Sequence, residues 1–405
     1  MFETVDQIFV IAKHQLLGGV DLALIWLGFN PFCENLVIQL LSCLINIVGI
    51  LAFFLPLFAM ISVFERKILA RIQNRYGPNR VGPWGLLQPA ADGIKMLIKE
   101  DIVPRNADPL IHFLAPIAMV VPTMLALGVV PYGRGMTPFA IDGGILFFFA
   151  VGSATELAVF MAGWASDNKY SMLGAMRAIA QMMSYELPLI ISTLPVIMIV
   201  GSLSPDAIVA AQGRYVLGIV PHWFVLTPWG AVGFILFYIA ALVESNRTPF
   251  DLPEGESEII AGHMIEYSGF KYAIFFMAEY FGMFAISGLA VTLFLGGWNA
   301  PLPFLQFIPS YLWFFMKLSV LLFVFIWLRG TLPRIRIDQM MSFAWKFMVP
   351  MTFTCMIAVA VSHYSGGGFP GWIASFIVIA VAFPLLTLLL KTRQNLSTRT
   401  YHFAE

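Results

Sequence analysis

Glu156, Glu186, Glu279 and Lys317 stand inside long apolar runs, where nothing in the neighbouring sequence solvates a charge. An ionisable group at that depth faces a bundle interior or a wet cavity and commonly marks an ion or proton route. Desolvation makes a carboxylate harder to ionise, and so able to load and release a proton near neutral pH. The simpler alternative is a structural ion pair or a side chain reaching to the interface, and Lys317 is a candidate partner for one of the acids. A second set of acids lies in ESNRTPFDLPEGESEIIAGHMIEY, from Glu244 to Tyr267, where Glu244, Glu254, Glu256, Glu258 and Glu266 have only Arg247 as a basic counterweight. Asp251 and Glu254 have the spacing of a capping box, with Pro253 in the first turn. They predict a helix start on which Glu254 and Glu258 share a face and Glu256 points elsewhere. The loop is either solvated or, as the apolar Ile259, Ile260 and Ala261 argue, partly tucked against the bundle.

Basic residues gather in ERKILARIQNRYGPNRVGPWGLLQPAADGIKMLIKED, from Glu65 to Asp101. Ile68, Leu69 and Ile72 share a helical face that Arg71 and Arg75 avoid, so the preceding apolar helix is expected to run on as a basic amphipathic one. Gly77-Pro78-Asn79 and Gly82-Pro83 then impose tight turns. Leu87, Ile94, Leu97 and Ile98 predict an interfacial helix with Lys95 and Lys99 on its polar side. Arginines in such a place enforce topology and meet lipid phosphates. The density of Gly, Pro and Arg also suits a fixed docking surface for a soluble partner, or the rim of a head-group site.

Positioning these groups requires a membrane bundle. The 405 residues are 59% hydrophobic and 11% charged, against a charged share of about 25% in soluble domains. A crossing needs about 20 apolar residues, and reading between charged and Gly/Pro-rich breaks gives nine spans, near 36–64, 109–130, 143–165, 178–201, 228–244, 272–294, 309–328, 343–362 and 371–390. The expected fold is therefore an all-α integral membrane protein, one polytopic domain over residues 1–405 with long loops at 65–108 and 245–271. The stretch before residue 34 is too broken by charge to span and is expected at the surface. No cleavable signal peptide is visible, which leaves the first span to direct insertion. Of the 23 Lys and Arg residues, nineteen fall in the tail, in the loops after the first, third, fifth and seventh spans or, for Lys346, at the near edge of the eighth span, against three on the opposite side. That bias predicts an outside N-terminus, a cytoplasmic C-terminus and both long loops in the cytoplasm.

Zero net charge gives no global field for nucleic acid. Cys33, Cys43 and Cys355 form no CxxC, and the six histidines offer no pair on one helix. The chain thus lacks the ligand spacings for iron–sulfur clusters, structural zinc or a haem sandwich, and no metal site is expected. No internal repeat is visible, which counts against a repeat-built transporter.

The two loops, with GWASDNKYSMLGAMRAIAQMMSYE, FFMAEY at 275–280 and RGTLPRIRIDQ from Arg329, closely resemble the H-subunit family of the proton-pumping NADH:quinone oxidoreductase, respiratory complex I, equivalent to mitochondrial subunit 1. The likeness covers residues 36–362. It implies an enzyme subunit, not active alone, that joins the membrane arm to the peripheral arm of a bacterial inner-membrane complex and forms most of its quinone chamber. Quinone is then the substrate, and the other subunits of both arms and the membrane lipids are the partners. Flavin and iron–sulfur clusters are expected in those partner subunits. Residue by residue, the resemblance implies that Arg66, Asp92, Lys95, Arg247, Phe250, Arg329 and Arg334 lie at or near the quinone passage. It implies equally that Glu186, Glu244, Glu254, Glu256, Glu258, Glu266 and Glu279 form an acidic chain from that chamber to the proton-conducting arm. Glu156 is not among the acids carried over, and the ninth span with its basic tail extends past the family's eight-helix core. A related subunit of a membrane-bound hydrogenase would share the fold without a head-group site, and the complete GPNRVGP and NRTPFDLPEGESE runs favour the quinone enzyme. A free-standing proton-coupled transporter would also bury glutamates, but it would not need so long a docking loop.

Overall fold

Apolar runs of this length fold as helices because a bilayer core offers no water to the backbone, so each N–H and C=O must find its partner within the segment. A computed structural model describes residues 10–18, 31–216, 220–252, 255, 260–366 and 368–392. Glu254, Glu256 and Glu258, the helix expected to start there, and the basic tail beyond residue 392 lie outside the described residues. The principal helices are α1 (Pro31–Ile72), α2 (Gln88–Ile98), α3 (Pro109–Val129), α4 (Gly144–Ala165), α5 (Lys169–Val200), α6 (Pro228–Glu244), α7 (Gly269–Phe294) and α8 (Ser310–Thr331). They are followed by α9 (Ile337–Tyr364), which contains a π-helical turn at Ala344–Met348, and α10 (Gly368–Thr392).

Among the described residues, eight helices are long and apolar enough to cross a membrane: α1, α3, α4, α5 and α7 to α10. Helix α6 is apolar but has only 17 residues. The fold is an all-α membrane bundle, and its described strand pairing is one short ribbon, Tyr215–Val216 against Val220–Pro221. Helix α5 starts well before the expected residue 178, because the Asn168 side chain accepts the Tyr170 N–H and caps a first turn that is still polar. It ends where Gly201 adopts a left-handed conformation (φ 70°), which a glycine tolerates without steric cost. The first loop follows its pattern: α1 runs on to Ile72, and Leu87, Ile94, Leu97 and Ile98 beside and along α2 are exposed.

Burial grades the helices. In α7, 78% of the most apolar window is buried, against 22% in α1 and 17% in α10. Helix α7 is therefore the central post, and α1 and α10 present large apolar faces outward. Tyrosine hydroxyls join the helices across the core: Tyr185 donates to the Met340 carbonyl at 2.9 Å and Tyr238 to the Leu321 carbonyl at 2.7 Å. Lys317 corrects an expectation. Its ammonium does not meet a glutamate but donates to the carbonyls of Leu295, Gly297 and Asn299 at 2.7 to 2.8 Å, with the Trp223 ring 4.2 Å away. Leu295 caps α7 at the negative end of its dipole, and the Gly297 and Asn299 carbonyls follow in the turn beyond it, so the three together solvate the cation.

Candidate functional site

The second loop is laid along one face of α5. Asn168 Nδ2 donates to Glu266 Oε1 at 2.6 Å, Ser171 Oγ to the His263 carbonyl at 3.2 Å, and Gln181 Nε2 to the carbonyls of Val243 and Phe250 at 3.1 and 2.9 Å. Between them Gly174 allows contact that no side chain would permit: a Cβ there would lie 2.5 Å from the Gly262 Cα. These positions recur at the helical period, so a single face of α5 fixes the loop. His263 and Met264 are buried, as a tucked loop requires, whereas Ile260 is exposed.

Fixing the loop delivers Arg247 to a buried charge cluster. Glu65, on α1 and only 5% exposed, accepts from Arg329 of α8, from Arg247 Nη1 at 3.4 Å and from the Tyr280 hydroxyl of α7 at 2.5 Å. The Arg247 guanidinium also lies over the Tyr280 ring, 4.1 Å from its centre. Burial works against the Arg247 charge, but Tyr280, Glu65 and Glu279 outweigh it and hold the group protonated beyond its ordinary range. Its Nε and Nη2 are buried without an acceptor among the described residues.

Other predicted quinone-passage residues form two further groups. At the surface, Arg66 Nη1 and Lys95 Nζ meet Asp92 at 2.7 and 3.3 Å. Burial disfavours the Asp92 carboxylate, yet those hydrogen bonds prevail and hold it below the usual range. Arg334 Nη2 pairs with Asp251 at 3.2 Å, next to Phe250, whose ring packs against Tyr185. The structure thus joins Arg247 to Arg329 through Glu65, and Arg66 to Lys95 through Asp92.

The predicted acids divide. Glu186, Glu244 and Glu279 line one cavity of about 70 Å³, together with Gly152, Thr155, Ser245 and Asn246; this is room for a few waters. Ser153 Oγ donates to Glu186 at 2.5 Å. Glu266 stands elsewhere, in an open polar groove with Arg105, Asp167 and Lys169. Cavity and charge cluster are adjacent along the chain twice, since Glu244 precedes Arg247 by three residues and Glu279 precedes Tyr280 by one.

A sequence model described as NADH dehydrogenase matches residues 45–360. The chain belongs to the NADH dehydrogenase family. Relatives named as the H subunit of NADH-quinone oxidoreductase include one from Dehalococcoides mccartyi (strain CBDB1), 49% identical over 296 residues, which is 73% of this chain and 80% of the relative. Another, from Carboxydothermus hydrogenoformans, is 46% identical over 329 residues, 81% of this chain and 90% of the relative. A third, from Brevibacillus brevis, is 46% identical over 307 residues, covering 76% and 89%. These names bear out the resemblance read from the loops, including one subunit of an oxidoreductase. In this member of the NADH dehydrogenase family, sequence reasoning missed Glu65 and Tyr280 as site residues. Glu65 opens the Glu-Arg-Lys triplet and reads as surface charge; Tyr280 reads as one aromatic among many. The available signal was that two arginines brought into a bundle require a buried anion.

Proposed function

We propose that the chain is the membrane subunit of an NADH:quinone oxidoreductase that houses the quinone chamber and the first stretch of its proton route. The observation that carries this reading is the shared backbone of the two sites: Glu244 ends one helix with Arg247 three residues beyond it, and Glu279 and Tyr280 are consecutive on another. Arg247, with buried N–H donors left over, suits an oxygen of a quinone head group. Arg66, Asp92, Lys95, Phe250, Arg329 and Arg334 shape its approach from the bilayer. Reduction takes two electrons and two protons, and the electrons come from flavin and iron–sulfur clusters in partner subunits. A unit charge appearing about 4 Å from a carboxylate is worth roughly 4 kcal/mol at an effective dielectric of about 20, enough to displace a proton. Glu186, Glu244, Glu266 and Glu279, with Glu254, Glu256 and Glu258 of the loop, pass that proton toward the membrane arm. Lipid covers the outward apolar faces that partner subunits leave free.

Arg334→Ala tests the chamber, since this side chain is one-third exposed and meets Asp251 at the loop edge. Quinone reduction is expected to fall about 10-fold or more, the worth of one charged hydrogen bond, while NADH oxidation by a hydrophilic acceptor stays unchanged. A parallel fall of both activities would mean that Arg334 holds the assembly together and does not serve the quinone.

The orientation proposed has residues 65–108 and 245–271 in the cytoplasm and the N-terminus outside. Single cysteines in these loops are expected to resist an impermeant thiol reagent in intact cells and to react in inverted vesicles. Labelling from outside would reverse the topology.

A further inference from the structure

Helix α4 carries one ionisable residue, Glu156, which neither the loop motifs nor the acidic chain accounts for. The residue is 9% exposed, and its Oε1 is buried with no hydrogen-bond partner. It sits four residues after Gly152 and three after Ser153, on the same helical face. Gly152 lines the cavity of Glu186, Glu244 and Glu279, and Ser153 donates to Glu186. At Gly152 an added Cβ would meet nothing within 4 Å, so α4 leaves the cavity open at that point. Of the other ionisable groups on the elements packed against α4, His112 of α3 is stacked on Tyr267 at 4.0 Å, His263 is set against Phe275, Lys169 of α5 lies 5.5 Å from the Tyr170 ring centre, and Arg177 of α5 is also engaged.

We propose that Glu156 is an additional proton-carrying carboxylate set beside this cavity, exchanging protons with Glu186 and Glu244. A burial this deep, with one oxygen unpaired, is costly for a purely structural carboxylate, whereas a site that alternates between acid and carboxylate uses the unpaired oxygen. In each transfer an O–H bond breaks on one carboxylic acid and forms on the neighbouring carboxylate, directly or through one water; nothing is oxidised or reduced. Like charges repel, so a proton held by one of these neighbouring carboxyl groups is available to the others. Glu156 adds one more such group.

The inference rests on the proton-route reading, and the test separates the two. Glu156→Gln, Glu156→Asp and Glu186→Gln enzymes are assembled in full, reconstituted in vesicles and compared by the pH profile of pumping and by infrared difference spectra of the protonated-carboxyl region on quinone reduction. Glu156→Gln is expected to remove part of the carboxyl band and to displace the pH profile by about half a unit or more, with Glu156→Asp restoring both. An unchanged band and profile in Glu156→Gln, while Glu186→Gln alters them, would overturn the role of Glu156 alone. No change in either Gln variant would overturn the proton route itself. Glu156→Met, which leaves no polar group to bury, supplies the same readouts should the amide hinder assembly. Failure of both to assemble would make Glu156 structural and end the proposal.

Discussion

Replacing Glu65 by Gln is expected to give the largest loss of any single change in this chain. The carboxylate is the common acceptor for Arg247, Arg329 and Tyr280, so that four separate elements meet at it. Gln retains the volume and one acceptor oxygen, but it leaves two guanidinium charges facing each other in a buried site. Removing one partner of a buried ion pair costs about 3–5 kcal/mol, a large share of the stability of a typical domain. The variant should therefore show a lowered subunit content in the purified complex, faster thermal inactivation and little quinone reductase activity. Adding Arg247→Gln to it removes one orphaned charge and should recover part of the thermal stability without restoring turnover. Wild-type heat resistance in the single variant would show that the cluster is not a structural keystone.

The second large effect concerns Glu186 and Glu244, which share the cavity with Glu279. Gln keeps shape and hydrogen bonding but cannot ionise. Acting as relays, both sites should tolerate Gln in assembly while turnover or pumping drops about 100-fold, the low end of what a positioned proton donor contributes. The same substitution in the loop pair Glu254 and Glu258 extends the test along the proposed route. Reconstituted vesicles allow the NADH:quinone rate and the proton gradient to be read together, after subunit content is checked. Full rate with full pumping in Glu186→Gln and Glu244→Gln would remove the relay role, because a neutral amide is cheaper to bury than an unpaired carboxylate and a structural site should accept it.

The sequence alone determined the class of fold, the amphipathic first loop and the family. Each of these is local. The length of an apolar run is compared directly with a bilayer thickness, and GPNRVGP or NRTPFDLPEGESE is recognised without knowing what it touches. Tertiary structure decided which charges meet. Glu65 finds Arg247, Tyr280 and Arg329 at sequence separations of 182, 215 and 264 residues. Lys317 binds three carbonyls and, among the described residues, no glutamate, and Glu156 lies on the α4 face whose Gly152 and Ser153 reach the cavity and side chain of Glu186. In a soluble protein the apolar stripe of a helix announces which face turns inward. Here α4 and α8 are apolar nearly all round, because lipid solvates the outer face as readily as protein packs the inner one, and the central α7 is apolar because protein surrounds it. Helix rotation, and with it every buried pairing, is then set by the close approach of small residues such as Gly174 to Gly262 and by polar contacts that exist only once the bundle has closed.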